Sequence, residues 1–247
     1  MTRQLIEQIS LILPQPPSTD ALSRLDRYLT SLETWNPKLN LVSRAGTSLA
    51  AELESHVLDS VRALPVLTER IAASVTRPDT TPGATSDPVP GGETAPEGVR
   101  LLDVGSGGGF PGLVIAALMP EWQLTLVERS ERKCGFLRNM ALEMPNVRVH
   151  EGDPDSLPEG HRAGFAVMRA VCSLDHPLVR ETLMQLEAPA VLFMYKGRRE
   201  RIDEELAAMA GGAGAERPSA DIDAEVVGPL QPGSDTERHI VQLRLRV

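Results

Sequence analysis

The chain has 247 residues, with 34 acidic residues against 25 Lys and Arg, and a formal net charge of −9. This length fits one α/β domain with an extension or two small domains, and 41% hydrophobic residues exclude a chain that is disordered throughout. Two cysteines exclude a disulfide framework, and the longest apolar run, residues 113–119, is too short to span a membrane. We therefore expect a soluble, cytoplasmic protein. The acidic balance disfavours a general polyanion binder, although local charge decides whether RNA binds.

Residues 1–75 predict an N-terminal helical extension. Apolar residues at Leu25, Leu29 and Leu32 recur at helical spacing, and Asn36-Pro37 predicts the end of that helix. A second helical stretch covers about residues 54–75, where Pro65 predicts a break or a kink.

Residues 76–98 form the second predicted region. They hold five Pro, four Gly and five Thr, with no large apolar side chain beyond Val89. Such a segment buries too little surface to offset its ordering entropy, so it predicts a flexible linker or surface insertion. A Gly-rich stretch at 211–221 predicts a second flexible loop.

Residues 99–247 predict a third region, in which strands alternate with helices. The predicted strands are VRLLDV, QLTLVE, VRVH, FAVMRA, AVLFMYK, AEVVG and HIVQLRLRV. This alternation indicates a doubly wound, mostly parallel sheet in an α/β fold.

A glycine-rich turn follows the first predicted strand and opens a helix. Glycines there permit positive φ and close approach of a ligand to the backbone. One register, Gly107-x-Gly109-x-x-Gly112, satisfies the dinucleotide pattern but starts three residues beyond the strand. The other register, Asp103-x-Gly105-x-Gly107-x-Gly109, begins at the strand end. Both registers place Glu128, at the end of the next strand, on a ribose.

The second register resembles the cofactor loop of class I S-adenosylmethionine-dependent methyltransferases, which have a Rossmann-like fold and a seven-stranded sheet. Further segments are similar to the ribosomal RNA small subunit methyltransferase G family, also called GidB. These segments are WNPKLNLVS at 35–43, HVLDS at 56–60, DVGSGGGFPG at 103–112, ERS at 128–130, RK at 132–133, FLR at 136–138, RA at 169–170, KG at 196–197 and ERH at 237–239.

This resemblance implies methyl transfer from S-adenosyl-L-methionine to N7 of one guanine in a decoding-region loop of 16S rRNA. It implies that the cofactor is bound by Asp103, Gly105, Gly107, Gly109, Phe110, Glu128, Asp153, Pro154 and Arg169. The family usually has an Ala-Glu pair after this strand, where this chain has Gly152-Asp153-Pro154-Asp155. We therefore expect Asp153 first, and Pro154 next, as the adenine contacts. No metal site is expected.

Basic residues follow two predicted strands and suggest a rim for RNA phosphates, although a solvated helix start explains them equally simply. They are Arg129, Arg132, Lys133, Lys196, Arg198, Arg199 and Arg201. In an open parallel sheet these strand ends form the ligand face.

His56, Asp59 and Ser60 share one face of a predicted helix. A polar network that docks the extension onto the sheet is the simpler interpretation, and a wall of the substrate pocket is the other. His56, Asp59 and Asn40 are therefore substrate-pocket candidates, with no general base assigned.

Two functions stay open beside the main prediction. One is a class I methyltransferase for another RNA or a small molecule, and the other is a ribosome-assembly factor without turnover. The predicted partner is 16S rRNA or the small ribosomal subunit, and we expect a monomer that does not bind membranes.

Overall fold

The structure is a computed structural model that describes residues 1–42, 48–75, 98–211, 221–231 and 237–246. The predicted linker at 76–98 and the predicted loop at 211–221 lie almost entirely outside these residues. Both predictions therefore stay predictions.

The described helices and strands follow the predicted order. The helices are α1 (Arg3–Ile12), α2 (Thr19–Leu39), α3 (Leu49–Val75), α4 (Gly112–Leu118), α5 (Glu131–Ala141), α6 (Pro177–Gln185) and α7 (Arg199–Met209). The strands are β1 (Arg100–Val104), β2 (Gln123–Glu128), β3 (Val147–Glu151), β4 (Phe165–Arg169), β5 (Val191–Lys196), β6 (Ile222–Val227) and β7 (His239–Leu245).

The strands form one seven-stranded sheet in the order β3-β2-β1-β4-β5-β7-β6. The first five strands of that order are parallel, and β7 lies antiparallel to both β5 and β6. The predicted mostly parallel sheet is confirmed. Strands β2 and β3 lie on one side of β1, whereas β4 and β5 lie on the other, so the strand order reverses between β1 and β4. Open sheets of this kind bind ligands at such a reversal, beyond the carboxyl ends of the strands.

Two helices run through prolines that were predicted to interrupt them. Helix α2 continues past Pro37 to Leu39, and Asn40 ends it with a left-handed φ of 49°. Helix α3 is continuous through Pro65. The predicted helix end at Pro37 was therefore wrong. At Pro65 the helix has no break, and the alternative of a kink stays a prediction. Buried apolar side chains along α3 explain the second case, since tertiary packing outweighs the about 3 kcal/mol that an internal proline costs.

The N-terminal helices and one face of the sheet share a hydrophobic core. Leu32 of α2 and Val61 of α3 belong to the same buried cluster as Leu113 and Ile115 of α4. The fully buried Trp122 lies in this cluster as well. The extension is thus packed directly against the helix that follows the glycine-rich turn. No described helix is long and apolar enough to cross a membrane.

Asn36 fixes the chain as it leaves α2. The side chain is 5% exposed; its Nδ2 donates to Val42 O at 3.0 Å, and its Oδ1 accepts from Val42 N at 2.8 Å. The amide group therefore pairs with both backbone groups of Val42, as a neighbouring strand would.

We predict that Asn36→Ala lowers the free energy of unfolding by about 1–3 kcal/mol, because two buried backbone groups lose their partners. Urea denaturation measures this change, with Asn139→Ala on the exposed face of α5 as the matched control. Equal stability of the two variants would contradict the role given to Asn36.

Candidate cofactor and RNA site

The turn after β1 depends on glycines with positive φ. Gly105, Gly107 and Gly109 have φ values of 74°, 57° and 103°. A Cβ at Gly105 would lie 2.6 Å from Cγ2 of Val171, which is closer than real contacts. Positive φ therefore disfavours side chains at all three positions, and at Gly105 a side chain is excluded sterically as well.

Glu128, at the end of β2, holds the glycine-rich turn in place. Its Oε2 accepts from Gly107 N at 2.9 Å, and its Oε1 accepts from Ser130 N at 2.9 Å. Each carboxylate oxygen can accept a further hydrogen bond. The same side chain that orders the turn can thus receive the hydroxyl groups of a ribose.

Asp103 lies behind the turn with 1% exposure. Its Oδ2 accepts from Gly112 N at 3.1 Å, while its Oδ1 is buried without a hydrogen-bond partner among the described residues. Burial raises the pKa of this carboxyl to about 7. The side chain therefore anchors the start of α4, and it is not among the residues that line the adjacent cavity.

A cavity of about 360 Å³ opens at the carboxyl ends of β1, β2, β3 and β4. Its lining is Val104, Gly105, Val127, Glu128, Arg129, Gly152, Asp153, Pro154, Ala170, Val171, Cys172, His176 and Leu178. A glycine edge, apolar walls and a few carboxylates suit a nucleoside with ribose hydroxyls, so these residues fit S-adenosylmethionine. Two other cavities lie away from the carboxyl ends of β1 to β4, beside Arg70 and beside Pro229.

The loop after β4 forms one wall of the cavity and is held by an ion pair beneath it. Lys196 Nζ lies 2.7 Å from Glu205 Oε2 and donates to Cys172 O at 3.0 Å. Glu205 also accepts from Leu174 N at 3.0 Å. Lys196 and Glu205 are only 11% and 12% exposed, so this lysine supports the cavity wall.

Arg169 joins the end of β4 to helix α3. Its Nη1 donates to His56 O at 3.1 Å, and its Nη2 donates to His56 Nδ1. Its side chain is absent from the cavity lining. The structure therefore connects this arginine with the helical extension, whereas the resemblance implied a cofactor contact.

His56 is held in its neutral form. Burial, followed by the charge of Arg169, lowers its pKa from 6.5 to about 4. Because Nδ1 accepts from a guanidinium that stays charged, the ring proton belongs on Nε2. A histidine in this state has no free basic nitrogen near neutral pH.

Asp59 completes the same face of α3. Its Oδ2 accepts from Arg238 Nε at 2.9 Å and its Oδ1 from Arg62 Nη1 at 3.3 Å. Ser60 Oγ donates to His56 O at 2.8 Å. These contacts support the interpretation of the helix face as a polar network that docks the extension onto the sheet. Asn40 lies exposed at the end of α2.

Phe110 lies inside a ring of side chains with 7% exposure. Its ring centroid is 5.4 Å from Tyr28 and 5.2 Å from His56, and the Arg169 guanidinium carbon is also 5.4 Å away. Tyr28 Oη in turn donates to Gly108 O at 2.9 Å. No local pattern distinguishes Tyr28, because its spacing in α2 is that of an ordinary core residue.

The basic residues predicted to bind RNA lie on both sides of the cavity. Arg129 pairs with Asp153, and Arg132 Nη2 donates to Lys38 O at 3.0 Å. Lys133 follows in α5, while Arg198, Arg199 and Arg201 are exposed at the start of α7. Three strand spacings, about 14 Å, separate the β2 and β5 ends from which these groups emerge.

The chain is similar in sequence to known proteins over most of its length. A family model described as "GidB: rRNA small subunit methyltransferase G" matches residues 87–210. A "Ribosomal RNA small subunit methyltransferase G" from Laribacter hongkongensis is 30% identical over 224 residues, which cover 90% of this chain and 88% of the relative. A relative of the same name from Treponema pallidum is 31% identical over 188 residues, covering 73% and 70%.

A solved structure described as a putative O-methyltransferase from Klebsiella pneumoniae is similar to this chain in fold. Its TM-score is 0.52 at 14% identity, with 99% of this chain and 97% of that chain covered. This similarity supports the class I methyltransferase architecture.

We predict that Gly107→Val abolishes binding of S-adenosylmethionine. A Cβ at Gly107 would meet only Gly105 O, at 3.8 Å, so the added side chain occupies space open to a ligand. The positive φ adds a strain of about 1–2 kcal/mol for a side chain. Calorimetric titration measures the affinity, and Gly135→Val is the control because a Cβ at Gly135 meets nothing. Unchanged affinity in Gly107→Val would contradict the assignment of this turn.

Proposed function

Because this chain belongs to the ribosomal RNA small subunit methyltransferase G family, we propose that it methylates N7 of one guanine of 16S rRNA. The cofactor is S-adenosyl-L-methionine, and the enzyme is an rRNA methyltransferase. The observation that carries the proposal is the cavity beyond β1, β2 and β4, with the glycine-rich turn on one side and Glu128 at its base.

We assign the cofactor contacts to the cavity as follows. Gly105 lets the cofactor approach the backbone, and Glu128 accepts hydrogen bonds from the ribose hydroxyls. Asp153 and Pro154 line the part of the cavity where the adenine would lie, beyond β3. Asp103 and Gly109 act through the shape of the turn, and Arg169 acts through His56 and α3. Gly107 acts through the shape of the turn and through the open space beside its Cα.

The chemistry requires alignment more than proton transfer. When bound, S-adenosylmethionine supplies a methyl group that is already activated by its positively charged sulfur. Guanine N7 carries a lone pair in the neutral base, so the enzyme does not need to remove a proton. Orientation of two bound reactants supplies about 7–11 kcal/mol of the barrier reduction.

The side chains around His56 suit this mechanism. Arg169 keeps His56 Nδ1 occupied as an acceptor, and Phe110 packs on the imidazole ring. His56 therefore positions α3 against the glycine-rich turn and is not a general base. Asp59, through Arg238, fixes the same helix from the side of β7.

Five exposed arginines and one half-buried lysine bind phosphates of the RNA on both sides of the cavity. We assign this role to Arg129, Arg132, Lys133, Arg198, Arg199 and Arg201. Lys196 is a support of the cavity wall, since its ammonium group is paired with Glu205 and Cys172 O.

We predict that single-turnover methylation, at saturating cofactor and RNA, is nearly flat from mildly acidic to mildly basic pH. The pKa of His56 is about 4, so its charge does not change in this range. Asp103, with a pKa of about 7, titrates within this range, and saturating cofactor removes from the measured rate any effect of that titration on cofactor affinity.

His56→Ala then slows the reaction through weaker docking of α3 and leaves the pH profile flat. A wild-type rate that falls in acid with a histidine-like pKa, together with loss of that dependence in His56→Ala, would make His56 a general base.

The proposed function is tested by incubation with methyl-labelled S-adenosylmethionine and either protein-free 16S rRNA or intact small subunits from cells that lack this enzyme. We expect label at one guanine, mapped to N7 by mass analysis of the RNA. Label on another nucleotide or on a small molecule would contradict the proposal. Absence of transfer with intact cofactor binding would indicate an assembly factor.

A further inference from the structure

An exposed tryptophan lies in the last turns of α2. Trp35 is 41% exposed, which is unusual in a chain where aromatic residues make up only 3%. The only other tryptophan, Trp122, is fully buried. A large ring left open to solvent at this position is available to a partner.

One positive charge lies beside the ring, and a second lies next to the same turn of α2. Lys38 Nζ lies 5.4 Å from the Trp35 ring centroid, in the geometry of a cation–π contact. Arg132, from the start of α5, donates to Lys38 O at 3.0 Å and so brings a second cation to the same place. We call these three residues, Trp35, Lys38 and Arg132, the Trp35 patch. It is locally basic although the chain has a net charge of −9.

The chain connects the Trp35 patch directly to the glycine-rich turn. The segment that follows α2 touches that turn, because a Cβ at Gly108 would lie only 3.1 Å from Leu41 O. Asn36, next to Trp35, fixes this segment through its two hydrogen bonds with Val42. The patch is therefore held in a defined position relative to the place where the methyl group is transferred.

We propose that Trp35 stacks on an unpaired base of the substrate RNA, close to the target guanine, while Lys38 and Arg132 contact the adjoining phosphates. This inference rests on the proposed function for the identity of the RNA. An indole ring stacks on any base, and nearby cations hold the backbone, which is how proteins bind unpaired nucleotides. A protein partner fits less well, since lysine is depleted in the cores of protein interfaces, whereas a cation beside an exposed ring suits a base and its phosphate.

Tryptophan fluorescence tests the contact without reference to turnover. The wild-type protein is titrated with protein-free 16S rRNA, with excitation selective for tryptophan, while filter binding measures the affinity independently. We expect the RNA to quench the emission of Trp35. In Trp35→Phe only the buried Trp122 emits, so we expect no quenching although the RNA still binds.

Affinity measurements with matched variants test the energetic role. Trp35→Leu keeps apolar packing and removes the aromatic face, and we expect about tenfold weaker binding of 16S rRNA. Leu11→Ala is the control, because Leu11 is also a large exposed apolar residue, at 85%, but lies on α1. The melting temperature and the affinity for S-adenosylmethionine should be the same in both variants as in the wild type.

Three results would overturn the proposal. RNA binding by the wild type without quenching would remove Trp35 from the interface. Wild-type affinity of Trp35→Leu for both RNA and small subunits would likewise show that Trp35 is not part of the interface. If Trp35→Leu binds protein-free RNA with wild-type affinity but binds small subunits more weakly, the Trp35 patch contacts a ribosomal protein and not the RNA. Failure of N7 methylation with quenching intact would reject the proposed function and leave the base-stacking surface supported.

Discussion

The turn after β1 is the constraint on which the rest of the site depends. Three glycines adopt positive φ there, and Glu128 accepts a hydrogen bond from the middle one, Gly107. Tyr28 from α2 donates to Gly108 O in the same turn. Because side chains of the sheet and of the extension both bond to this backbone, a substitution in either one alters the shape of the cofactor cavity.

The helical extension is therefore part of the site and not an appendage. Arg169, at the end of a central strand, donates to backbone and side-chain atoms of His56 on α3. Burial of this guanidinium, which lowers its pKa, is offset by those hydrogen bonds and by the nearby carboxylate of Asp59. The same contact removes basicity from His56, which agrees with a reaction that needs orientation of the guanine and no proton acceptor.

The sequence predicted the sheet well, because short apolar strands and a glycine-rich turn leave local signals. It failed at Pro37, and a break at Pro65 is absent, because packing of the helices outweighs the local cost of proline. The cavity-lining residues Gly105, Glu128, Asp153 and Pro154 follow from strand ends and from the family resemblance. Contacts between residues far apart in the chain cannot be predicted in this way. No local sequence pattern indicates that Lys196 pairs with Glu205 or that Arg169 bonds to α3.

The structure of the protein bound to S-adenosylhomocysteine is the most direct test of the central claim, that the cavity beside the glycine-rich turn holds the cofactor. We expect the ribose hydroxyls within hydrogen-bond distance of Glu128, the adenine beside Asp153 and Pro154, and the sulfur facing the side of the cavity toward α3. A nucleoside bound outside this cavity, or one whose ribose avoids Glu128, would contradict the account.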